Sequence, residues 1–152
     1  MRDIVTRMGA NLRNGLDAPA ARTATAAGTG VDLQGFEGAM LYIMPGTWTD
    51  GTHTITLQEA DTDVDGSYAN VATTDLLAWS ATSTTDFTPV RVGNAQPTAI
   101  SSAATAINWR VGYLGTKRYV RAKSTITGGP STGAVYTLIL VRGRPSDSPC
   151  DV

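Results

Sequence analysis

Few residues in this 152-residue chain have the types and spacing that could support chemistry. Asp61-Thr-Asp-Val-Asp65-Gly66 places carboxylates at alternate positions ahead of a turn glycine, as in the first half of a calcium loop. The twelfth position from Asp61 is Ala72, so the bidentate glutamate is missing, and the flanks read as strands. The segment therefore reads as an exposed acidic turn. His53 is the only histidine. With no second histidine to share a metal and no nucleophile-elbow pattern around a serine, it reads as an ordinary surface residue at the start of a strand. Gly112-Tyr-Leu-Gly-Thr-Lys117 lacks the spacing and the following helix of a phosphate-binding loop, and reads as a hairpin turn. Clustered acids could supply a carboxylate pair for glycoside cleavage, but carboxylates are common in turns and give no specific signal. Taken together, these residues predict no catalytic site, no metal site and no cofactor, hence a protein that is not an enzyme.

The elements that would carry these residues are strands. Threonine occurs 23 times, glycine 16 and proline 7, and β-branched residues punctuated by turn formers favour pleated backbone. The pattern predicts strands over Phe36–Met44, Thr52–Glu59, Leu76–Ser80, Phe87–Val92, Ile107–Tyr113, Tyr119–Thr127 and Ala134–Arg142. About seven short strands at this spacing predict an all-β fold, an antiparallel β-sandwich or barrel. In Tyr119–Thr127, alternation turns Val120, Ala122 and Ile126 inward and Tyr119, Arg121 and Lys123 outward; in Thr52–Glu59, Ile55 and Leu57 share one face.

Two strands break the alternation. Phe36–Met44 carries Ala39, Leu41 and Ile43 on one side and Met40, Tyr42 and Met44 on the other. Ala134–Arg142 sets Val135, Ile139 and Val141 against Tyr136, Leu138 and Leu140. A strand apolar on both faces is one buried on both. The cover for the second face could be another subunit, the N-terminal arm, or the inside of a tight barrel.

The chain divides into an N-terminal arm (1–34), a β domain (35–145) and a short tail (146–152). In the arm, Ile4, Val5, Met8 and Leu12 recur at helical spacing, and the stretch from Asp17 to Gly30 has no large apolar side chain. Such a stretch is either a loose tether or a segment that orders on something else. The single cysteine, Cys150, offers neither an internal disulfide nor a zinc site. No stretch approaches the roughly 20 apolar residues of a membrane helix, so a soluble chain with no membrane partner is expected.

Charge is segregated along the sequence. Residues 31–90 hold nine acids (Asp32, Glu37, Asp50, Glu59, Asp61, Asp63, Asp65, Asp75, Asp86) and no Lys or Arg, whereas residues 91–145 hold eight bases and no acid. The halves can pair across a sheet or form complementary patches between copies. The run Lys117-Arg118-Tyr119-Val120-Arg121-Ala122-Lys123 could face nucleic acid, but a net charge of −1 and a footprint of four bases favour an acidic protein surface, with no nucleic-acid partner.

Three strings, Gly30-Val-Asp-Leu-Gln-Gly-Phe-Glu-Gly-Ala39, Thr54-Ile-Thr-Leu-Gln-Glu-Ala-Asp61 and Tyr113-Leu-Gly-Thr-Lys-Arg-Tyr-Val-Arg121, together resemble small virion proteins of tailed bacteriophages, in particular the capsid decoration or cement class. The resemblance covers residues 30 to 145. It implies a homotrimeric β-rich subunit in the virion, made in the host cytoplasm, that binds the major capsid protein on the outer shell and stabilises it. The candidate partner contacts are Arg7, Arg13 and Arg22 in the arm with Met40, Tyr42, Met44, Tyr136, Leu138 and Leu140 on the doubly apolar strands. Two other readings stand beside it. One is a neck or tail-tube subunit. The other is a carbohydrate-binding β-sandwich with Trp48, Trp79 or Trp109 as sugar platforms.

Overall fold

The computed structural model of the chain describes residue 16 and residues 18–145. The helical spacing at residues 4–12, the candidate contacts Arg7 and Arg13, and the tail with Cys150 lie outside the described residues. Among the described residues eleven strands follow in chain order: β1 (Ala20–Arg22), β2 (Ala26–Ala27), β3 (Val31–Asp32), β4 (Phe36–Trp48), β5 (Thr52–Ala60), β6 (Ala69–Asn70), β7 (Leu76–Ala81), β8 (Pro89–Gly93), β9 (Trp109–Tyr113), β10 (Tyr119–Thr127) and β11 (Ala134–Pro145). All seven strands predicted from the sequence are present. They form an antiparallel β-sandwich, with no closed barrel.

One sheet runs β1-β11-β4-β9-β7-β8, and the other has β10 between β5 and the short strands β2 and β3, with β6 beyond β5. Period-two alternation fills the space between them. Leu41, Ile43, Ala78, Val111, Tyr136, Leu138 and Leu140 come from the larger sheet and meet Ile55, Leu57, Val120 and Ala122 from the smaller one, all buried.

Residues 20–32, expected as arm, are built into both sheets. β1 pairs with β11, and β2 and β3 pair with β10. Small residues order here because the chain needs only backbone pairing from them: Gly28 N–H donates to the Ala122 carbonyl (2.8 Å) and Leu33 N–H to the Arg118 carbonyl (2.7 Å). Leu16 adds a buried apolar anchor.

The arm thus closes one edge of each sheet, and an exposed edge is a hazard that folds manage. The free edge of β5 is closed by β6, by a bridge between His53 and Ile100, and by one side chain. Gln96 Oε1 accepts from Leu57 N–H (3.1 Å), while its Nε2 donates to the Leu57 (3.3 Å) and Val71 (3.2 Å) carbonyls. A primary amide has the donor and acceptor of a peptide unit, so Gln96 stands in for a strand residue. The β8 edge is blunted by Pro89 and by an irregularity opposite Ala78, where Gly93 takes φ +108°.

Candidate functional site

The residues singled out for chemistry do not converge. The three carboxylates of the Asp61–Gly66 turn go to different partners: Asp61 to Lys117 (2.6 Å), Asp63 to the Tyr68 hydroxyl (2.7 Å) and Asp65 to Arg121 (2.5 Å). Arg121 sits on the outward side of β10, as alternation requires, yet it is buried. The turn folds over it, placing the Tyr68 ring 3.9 Å from its guanidinium carbon, and Gln58 accepts from its Nε (3.0 Å). Arg121 in turn holds the Asp65 carboxyl below the usual carboxylate range, while burial and the Asp63 contact push the Tyr68 phenol up.

His53 is fully buried, not a surface residue as expected. Its Nε2 lies 3.1 Å from the Asp50 carbonyl, its Nδ1 3.4 Å from the Tyr136 hydroxyl, and that hydroxyl 2.5 Å from Ser124 Oγ. A carbonyl can only accept, so Nε2 carries the proton. The neutral ring's Nδ1 then accepts from Tyr136, which accepts from Ser124. Ser124, Tyr136 and His53 are all closed to solvent, so the string satisfies polar groups inside the core and meets no substrate.

The basic run finds its acidic surface within the chain. Lys117 pairs with Asp61, Arg118 with Asp32 and Arg121 with Asp65, so the charge-segregated halves meet across the fold. Arg118 donates from Nε (3.1 Å) and from Nη2 (2.9 Å) to the two Asp32 oxygens, which lowers the Asp32 pKa. Asp50 is held ionised by the backbone amides of Gly133, Ser131 and Thr132, with the Ser131 hydroxyl added.

The partner contacts expected from the sequence divide. Tyr136, Leu138 and Leu140 are fully buried between the sheets and present nothing to a partner. The reason is register: Leu138 pairs with Ile43 and Leu140 with Leu41, which puts these residues on the core side. Arg22 is turned inward too. Its guanidinium lies 5.2 Å from the Tyr136 ring centroid and donates to the Leu16 (3.1 Å) and Ala18 (3.2 Å) carbonyls. Met40, Tyr42 and Met44 do lie on the outer face of the larger sheet, joined there by Val135, Ile139 and Val141 of β11 and Leu77 and Trp79 of β7. Met44 is 40% exposed and the others are half-buried.

This outer face is the surface with the character of a site. Across its middle one row reads Ile139, Tyr42, Arg110, Trp79, Arg91, each opposite the next on neighbouring strands. The row beside it reads Val141, Met40, Gly112, Leu77. Gly112 supplies no side chain, so a hollow of about 340 Å³ opens over it, lined by Met40, Tyr42, Leu77, Trp79 and Val141, with the exposed acid Glu37 at one end and Leu114, which is 60% exposed, beside it. The described part of the arm follows the sheet edges and leaves this face open. Of the three tryptophans, only Trp79 belongs to it. Trp109 is buried, and Trp48 packs against the core with its indole N–H on the Gly51 carbonyl (2.9 Å). Arg91 and Arg110 escaped the sequence reading; what marks them is a base at the outward position of a strand.

Among the described residues, no group of three or more His, Cys, Asp or Glu side chains is placed to hold a metal ion, and no helix is long and apolar enough to cross a membrane. Comparison with known proteins gives no match to any family, curated protein or solved structure.

Proposed function

We propose that this chain is a capsid decoration subunit of a tailed-phage virion, acting as a homotrimer that docks on the major capsid protein and stabilises the shell. The observation that carries the reading is the outer face of the larger sheet. Isolated domains seldom leave a contiguous apolar patch bearing aromatics uncovered, and such patches mark interaction surfaces. Met40, Tyr42, Met44 and Trp79, with Arg110 among them, have the composition of an interface centre. The rest of the molecule suits an adhesive role: the core is complete, edges are sealed from within, and three ion pairs join the acidic and basic halves internally.

Light scattering and co-sedimentation with empty shells of major capsid protein test this. A trimer that sediments with the shells is expected. Trp79→Ala removes a half-buried aromatic from the centre of the face at a cost of about 2 kcal/mol in binding, or roughly thirtyfold, with little change in melting. A strict monomer that stays in the supernatant overturns the proposal, and a hexameric ring transfers the chain to the neck or tail-tube class.

A further inference from the structure

We infer that the surface covering this sheet face is an acidic segment of a different protein, whose carboxylates reach Arg110 and Arg91 on either side of Trp79. The inference rests on the docking reading above and specifies the chemistry of the partner.

Charge accounting within the chain leads to it. Lys117, Arg118 and Arg121 each hold a carboxylate, and Arg22 holds backbone carbonyls. Arg142 donates to the Asp32 carbonyl (2.8 Å) and lies over the Phe36 ring. Lys123, Arg91 and Arg110 form no ion pair among the described residues; Lys123 is half-buried on β10 of the smaller sheet, whereas Arg91 and Arg110 are exposed. Both occupy the same row of the apolar face, bracketing Trp79. A partner that buried Tyr42 and Trp79 would desolvate both guanidiniums, which is costly unless carboxylates come with it. Arginine suits that task because its planar fork meets a carboxylate with two hydrogen bonds.

The alternatives within the chain fit less well. Residues 1–15 carry Arg2, Arg7 and Arg13 against Asp3 alone, a composition that does not complement two arginines. Among the described residues a second copy offers carboxylates already engaged: Asp32, Asp61 and Asp65 by cations, Glu59 by the Tyr113 hydroxyl (2.6 Å), Asp63 by the Tyr68 hydroxyl (2.7 Å) and Asp50 by backbone amides. The aliphatic surroundings of Trp79 favour a protein over a glycan, whose hydroxyls Met40, Leu77 and Val141 cannot satisfy.

The test uses the full chain and empty shells of major capsid protein. Arg110→Lys and Arg91→Lys each place a primary amine where a carbodiimide couples it to any carboxylate in contact, whereas the wild-type arginines do not react. A covalent adduct between either introduced lysine and an Asp or Glu of the shell protein, mapped by mass spectrometry, is the expected result. In parallel, the double variant Arg91→Glu/Arg110→Glu should bind shells at least tenfold more weakly at low salt, with an unchanged melting temperature. Adducts only to carboxylates of this chain, including Asp147 and Asp151, would give the face to the chain itself and overturn the inference. So would shell binding that is unaffected by the charge reversal. Wild-type protein that ignores the shells defeats the docking reading instead, so the two failures are distinguishable. Shell binding abolished by competing acidic polysaccharide, with no protein adduct, assigns the face to a glycan and also overturns the inference.

Discussion

Tyr136 offers the sharpest test of how the interior is held. Its hydroxyl lies 2.5 Å from Ser124 Oγ and 3.4 Å from His53 Nδ1, and all three residues are fully buried. Tyr136→Phe keeps the ring, its edge contact with His53 (centroids 5.5 Å apart) and the guanidinium of Arg22 beside it, so packing is nearly unchanged. What goes is the middle of the chain of hydrogen bonds. The His53 acceptor is left without a donor, and Ser124 loses the acceptor for its proton. A buried polar group stripped of its partner costs about 1–3 kcal/mol. The long 3.4 Å contact and the freedom of the Ser124 hydroxyl to turn put both at the low end, giving about 2 kcal/mol in total.

For a domain of this size that is a fall of about 4–8 °C in melting temperature, or a shift near 1 M in the urea midpoint with an unchanged slope. The assay is urea unfolding followed by tryptophan fluorescence, repeated for Ser124→Ala and the double variant. Coupling between the two sites should be about 1 kcal/mol, as for directly bonded groups. A loss below about 0.5 kcal/mol for Tyr136→Phe would refute the reasoning, because the string would then contribute nothing that a phenylalanine core lacks.

Other consequences follow from the same structure. Gly133 has φ +77° and a Cβ there would land on the Arg22 carbonyl of β1, whereas Gly129 has φ +56° and open space around it. Gly133→Ala should therefore cost about 2–4 kcal/mol by urea titration and Gly129→Ala only about 1, the left-handed backbone term alone. Gln96→Leu keeps the bulk but removes the stand-in for a strand at Leu57, so hydrogen exchange at the Leu57 amide should accelerate at least tenfold while amides of β11 hold their protection. Asp32, Asp50, Asp65 and Asp86 all have folded pKa values below their ordinary range, set by Arg118, by the Gly133 amide, by Arg121 and by Thr88 respectively. A depressed folded pKa contributes stability that is complete above the unfolded value of about 3.9 and is lost as pH falls through the folded value. Melting temperature should accordingly be flat from these groups above about pH 5 and decline below pH 4; a rise on acidification would contradict these contacts.

The strands were legible in the sequence because their signal is local. Alternation with period two and glycine at the turns identified all seven longer strands, Tyr119–Thr127 to the residue, and their number and spacing pointed to an all-β sandwich or barrel. The candidate site was legible only in part. Apolar residues on both faces of β4 and β11 announced a second surface needing cover, and Met40, Tyr42 and Met44 do lie on it. Which face of β11 turned inward was invisible to periodicity, since both are apolar. Thr137 lies on the outer side, but Arg142 falls by the same alternation on the side of Tyr136, so the polar residues of the strand gave no consistent clue.

Tertiary structure alone decided the rest, because it depends on neighbours distant in sequence. Residues 20–30 carry no large apolar side chain, and it is the open edges of β10 and β11, with Val31 buried at the end of the segment, that order them. His53 and Arg121 are buried because Tyr136 lies 83 positions away from one and Asp65 56 positions away from the other. Arg91 and Arg110 became a pair only when β7 set Trp79 between them. A side chain's preference for core or surface can be read from its type. Whether a polar one finds its partner inside depends on how the sheets pair, and that long-range match turned an unremarkable histidine into core and set two scattered arginines on one row of the outer face.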